Sequence, residues 1–150
     1  MSDPIYIAEY DALIREVLAS GGEFRLYPHG TSMLSLLRQG IDSVALRSLD
    51  RSPRKYDILF YQRQDGSYIL HRVKEVTDKG LILWGDNHTM LEYGITEENI
   101  IGYAARVFRG DKELDCQSLG YRAYLWLWQF KAIRRILLPI AYHLRKEKST

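Results

Sequence analysis

Between residues 23 and about 110 the chain is cut into short apolar runs, each closed by turn-forming letters. The runs cover 23–28, 43–49, 57–63, 67–76, 80–84 and 100–109, with breaks such as Gln64-Asp65-Gly66 and Asp78-Lys79-Gly80. Six strands at this spacing predict a mainly β fold, a compact antiparallel barrel or sandwich. Helical patterns flank it. Asp3-Pro4 is a helix start, and Ile7, Tyr10, Ile14, Val17 and Leu18 recur at helical spacing until Ser20-Gly21-Gly22 ends the segment. The expected organisation is an amphipathic helix over 1–22, a β domain over 23–112 and a helical tail over 113–150. At 150 residues such a chain buries a sizeable core without covalent staples.

Composition narrows the chemistry. Cys116 is the single cysteine, so an internal disulfide and a cysteine-rich metal site are both excluded. His29, His71, His88 and His143 show no zinc-binding spacing, and neither a metal nor a cofactor is expected. The net charge of +2 conceals an asymmetry. Residues 1–118 carry 14 Lys/Arg against 18 Asp/Glu, whereas 119–150 carry 7 against 1. A weakly acidic body argues against nucleic acid as a partner, and the basic tail is the candidate for anionic surfaces. Asp3, Glu9, Asp11, Arg15 and Glu16 interrupt the first residues, so no signal peptide is expected. No apolar stretch is long enough to span a bilayer, and the expected location is cytoplasmic or peripheral to a membrane.

Strand 67–76, "SYILHRVKEV", is the most informative. Alternation places Ile69, His71, Val73 and Glu75 on one face, and Tyr68, Leu70, Arg72 and Lys74 on the other. His71 therefore sits between β-branched neighbours on the expected inward face, where burial favours a neutral imidazole. Downstream, "LILW" reads as a buried strand and Gly85-Asp86-Asn87 as the turn leaving it. Upstream, Gly30-Thr31-Ser32-Met33 separates two apolar runs. Each polar residue has an ordinary role: a core histidine, a turn aspartate, a turn serine. Together they are nucleophile, imidazole and orienting carboxylate, the set that makes a neutral serine reactive.

The ordered series "GTSM", "DSVAL", "KYDILFY", "ILHRV", "LWGDN" and "IIGYAARV" resembles the box pattern of the serine peptidase superfamily of type I signal peptidases and LexA-like self-cleaving repressors. The match runs from about residue 24 to 109. The resemblance implies Ser32 as nucleophile, His71 as base and Asp86 as its orienter, with the backbone amides of Ser32 and Met33 forming the oxyanion site. Histidine rather than lysine before Arg-Val resembles the endoplasmic-reticulum and archaeal signal peptidases. There are departures: Ser35 replaces the usual proline, Gly30 stands where signal peptidases often carry a serine, and Glu92 is the nearest counterpart of a second downstream carboxylate. The segment before the match has room for one helix, so a repressor with a three-helix DNA-binding domain is not expected. The family's N-terminal membrane anchor is not expected either. The implied activity is that of a serine endopeptidase acting on a peptide or precursor protein. The alternative is a catalytically silent module of the same fold that binds peptides or partners.

The tail carries a second pattern. Trp126, Phe130, Ile133, Leu137, Ile140 and Leu144 share one helical face, and Lys131, Arg134 and Arg135 the opposite one, with Tyr121, Tyr124, Trp128 and Tyr142 between. Such a stripe is expected either to pack on the β domain or to lie through residues 119–146 on an anionic membrane surface.

Overall fold

The computed structural model describes residues 4–30, 32–33, 36–87, 90–130, 132–137, 139–140 and 144. All six strand-forming runs are strands: β1 (Phe24–Leu26), β2 (Ser43–Arg47), β3 (Ile58–Gln62), β4 (Tyr68–Thr77), β5 (Gly80–Trp84) and β7 (Ile100–Arg109). Two more, β6 (Glu92–Ile95) and β8 (Lys112–Glu113), are too short or too polar to show as apolar runs. All pairings are antiparallel, in the order β1-β2-β7-β3-β4-β5-β6 with β8 beside β7. The result is one mainly antiparallel eight-stranded sheet with flanking helices.

β3 shows why the sheet is stable. Ile58 and Phe60 enter one core with Val44, Leu46, Leu70 and Val107, whereas Leu59 and Tyr61 enter a second with Val73, Leu81, Leu83 and Ile95. Both faces of the strand are buried, so its sequence is continuously apolar rather than alternating. α1 (Pro4–Ala19) lays Ile14 and Leu18 into the first core. Each such side chain contributes about 1.5–3 kcal/mol relative to exposure.

α2 (Leu119–Trp128) starts at Ser118, whose hydroxyl accepts the Tyr121 amide at 3.2 Å. Residues 132–137 are also helical. Among the described residues, no helix is long and apolar enough to cross a membrane.

Candidate active site

The serine-bearing turn follows β1. Gly30 has φ of +83°, in the left-handed region that glycine enters without a Cβ penalty. Met33 is buried in the first core, and its carbonyl accepts the Leu36 and Leu37 amides at 3.0 and 2.6 Å. Ser32 thus sits half-buried on a turn pinned by its neighbour. Thr31, Leu34 and Ser35 lie outside the described residues.

His71 is buried on β4, flanked on its face by Ile69 and Val73 of the second core. Gly85, just after β5, brings it to the serine. A Cβ on Gly85 would stand 3.0 Å from Ser32 Cβ, 3.1 Å from His71 Nε2 and 2.6 Å from the Ser32 carbonyl oxygen. The serine side chain and the imidazole Nε2 therefore converge on one spot that only glycine leaves open. The next loop residue fastens the arrangement, as the Asn87 amide donates to the Ser32 carbonyl at 2.7 Å.

The other imidazole nitrogen faces a polar cluster. Nδ1 lies 3.4 Å from Glu92 Oε2 and 3.3 Å from the Tyr61 hydroxyl, which itself donates to Glu92 at 2.5 Å. Arg63 holds both Glu92 oxygens, at 2.6 and 3.0 Å. Burial opposes the charged form of Glu92, but hydrogen bonds from Arg63 and Tyr61 outweigh it and hold the carboxyl below its usual range. Burial first, and the Glu92 carboxylate second, push the Tyr61 hydroxyl far above its ordinary range, so it stays a neutral donor.

Of the expected set Ser32, His71 and Asp86, the structure brings the first two together at Gly85 and pairs the third with other groups. Asp86 is fully buried, and its carboxylate receives Arg72 Nε and Nη2, both at 2.8 Å, and the Tyr124 hydroxyl at 2.6 Å. The carboxylate beside His71 Nδ1 is Glu92. The reason lies in strand alternation: Arg72 follows His71, points to the other face, and pairs there with Asp86.

The tail is closer to this site than its apolar pattern suggests. Trp128 Nε1 donates to the Asp86 carbonyl at 2.6 Å, and Arg134 Nη2 to the Gly85 carbonyl at 2.9 Å. Arg134 is buried, with its guanidinium 3.9 Å from the Trp84 ring centroid, so it does not belong to a solvent-facing basic surface. Trp126, Phe130, Ile140 and Leu144 of the expected stripe are instead exposed. Lys131 and Tyr142 lie outside the described residues. Tyr61, Arg63, Arg72, Trp128 and Arg134 are thus the site-supporting residues that motif reading missed; the one available signal was that Trp128 and Arg134 lie off the apolar stripe.

A cavity of about 90 Å³ adjoins Ser32, walled by Met33, Leu37, Tyr68, Ile69 and Leu70. It has room for a short side chain. No family model, curated protein or solved structure matches the chain.

Proposed function

We propose that the chain is a signal-peptidase-like serine endopeptidase acting on a peptide or precursor protein. The observation that carries this reading is the convergence of Ser32 and His71 Nε2 at Gly85, with Glu92 and Tyr61 on the opposite nitrogen. The ordered boxes of the sequence support it independently.

In this mechanism Nδ1–H faces Glu92, which leaves the Nε2 lone pair for the serine. Ser32 Oγ attacks the scissile carbonyl while Nε2 takes its proton. The oxyanion is received by the amides of Ser32 and Met33. As the C–N bond breaks, Nε2 passes its proton to the leaving amine and an acyl-Ser32 ester remains. Water, deprotonated by the same nitrogen, then releases the acid product and restores the serine. Glu92 stabilises the imidazolium formed at each step, and Arg63 and Tyr61 keep Glu92 ionised and oriented. The small cavity beside Ser32 favours a short side chain on the acyl side of the cleaved bond.

The test is digestion of a library of precursor-like peptides, read by mass spectrometry. Cleavage is expected after small residues, and Ser32→Ala should lose on the order of 10⁶ in kcat, as when a triad peptidase loses its serine. Its melting temperature should stay unchanged. Equal cleavage by Ser32→Ala, or no cleavage of any peptide by the unaltered chain, would overturn the proposal.

A further inference from the structure

The two sides of α2 do different things. Tyr124 and Trp128 face the Gly85–Asp86 loop. Leu119, Arg122 and Trp126 lie on the opposite side, since helical neighbours advance by 100° and these three fall within about 60° of one another. Leu119 is 82% and Trp126 59% exposed, and with Tyr56 they edge an open groove of about 510 Å³. The Trp126 ring meets Phe130 edge-on at 5.1 Å, and Ile136, Ile140 and Leu144 continue the exposed apolar series. This much exposed apolar surface in one segment marks a contact site.

We infer that the exposed apolar groups Leu119, Trp126, Phe130, Ile136, Ile140 and Leu144 dock on an anionic lipid bilayer. Charge selects the occupant. The segment from 119 onward carries 7 basic residues, one of them the buried Arg134, against 1 acidic, and Arg122 and Arg135 are exposed among the apolar positions. Tyr56, which lines the groove, has the Lys55 ammonium 5.1 Å from its ring centroid. The remainder of the chain has the opposite balance, 14 against 18, so an anionic surface attracts the tail and repels the body. That polarity orients the molecule before contact. Exposed aromatic and aliphatic groups beside arginines are the composition of an interfacial helix, whose apolar side chains sink while the guanidinium groups stay at the headgroups. A bilayer also needs no shape match, and the exposed apolar series runs on past the groove to Phe130, Ile136, Ile140 and Leu144.

The experiment is co-sedimentation of the full chain with phosphatidylcholine vesicles, with or without phosphatidylglycerol, at low and high salt. It contains no cleavage step, so its outcome is separate from that of the peptidase proposal. The protein should pellet with the anionic vesicles at low salt, return to the supernatant at high salt, and ignore neutral vesicles. Trp126→Ser should weaken partitioning by about tenfold or more, and Arg122→Gln by about fivefold, each with an unchanged melting temperature. Equal binding to neutral vesicles, binding unaffected by Trp126→Ser, or no binding to any vesicle would overturn the inference. A dimer seen by sedimentation velocity, lost in Trp126→Ser without any vesicle binding, would assign the surface to a second copy instead.

Discussion

His71 and Arg72 are adjacent on β4, and strand alternation sends each to a different carboxylate. On one face Glu92 meets His71 with its side chain 18% exposed, held by Arg63 and Tyr61. On the other, Asp86 is sealed from solvent and receives Arg72, Tyr124 and, through its carbonyl, Trp128. The first carboxylate has a titratable ring and a path to water beside it, the conditions under which a charge assists proton transfer. Among the described residues, the second receives a permanently charged guanidinium and a neutral hydroxyl and is suited to holding a loop. Burial and the nature of the donors separate the two roles; the residue type does not.

Neutralising each carboxylate in turn is the way to break this contrast. Glu92→Gln should have the larger effect, up to about 10⁴ in kcat, because the amide cannot stabilise the imidazolium and favours the wrong tautomer. Its melting temperature should fall less than that of Asp86→Asn. Asp86→Asn should do the reverse, costing about 3–5 kcal/mol by leaving the buried Arg72 guanidinium without a counter-charge. Thermal denaturation checks this, and a melting point within a degree or two of the parent would reassign Asp86. Trp128→Phe sharpens the contrast further: losing the indole N–H leaves the Asp86 carbonyl unsatisfied, at about 1–3 kcal/mol. Hydrogen exchange at the Asn87 amide should quicken in that variant.

The smallest expected effect is in acid. The Glu92 carboxyl is held below its ordinary value of 4.5, so the native state binds that proton less readily than the unfolded chain. The stability it contributes is complete above 4.5 and is lost as pH falls below 4.5 through the folded value. Acid unfolding followed by circular dichroism should therefore be shallower in Glu92→Gln over that interval. An identical profile would show that Glu92 contributes no such linkage.

The sequence revealed the strands that bury apolar side chains. It did not reveal β6, because Glu92-Tyr93-Gly94-Ile95 has one buried residue and a central glycine. Arg72 was legible only as one member of an alternating pair with Lys74. Alternation cannot tell an outer face from a second core, and the partner carboxylate is 14 residues away. The tail misled for a related reason. Its helical stripe marks an apolar face, but what docks on the Gly85–Asp86 loop is an indole N–H and a guanidinium seeking backbone carbonyls. Periodicity records hydrophobicity and is blind to such polar handles. Ser32 and His71 stood out because their chemistry is tied to short local boxes. Glu92 could be listed as a candidate carboxylate, but only the strand pairing of β5 with β6 brings it near the imidazole.

The strand order also bears on when the site comes into being during synthesis. Ser32 lies between β1 and β2, and those strands join the rest of the sheet only through β7, whose residues begin at Ile100. A ribosome therefore releases the serine long before the partner strand that seats it. The loop bearing Gly85 emerges between the two, and Trp128, which ties it down, comes later than either. Such late, long-range pairing is the slow part of folding. If Ser32 is the nucleophile proposed above, a partly made chain carries it without the assembled site, and the order of the strands by itself keeps such a chain inert until the helix bearing Trp128 is in place.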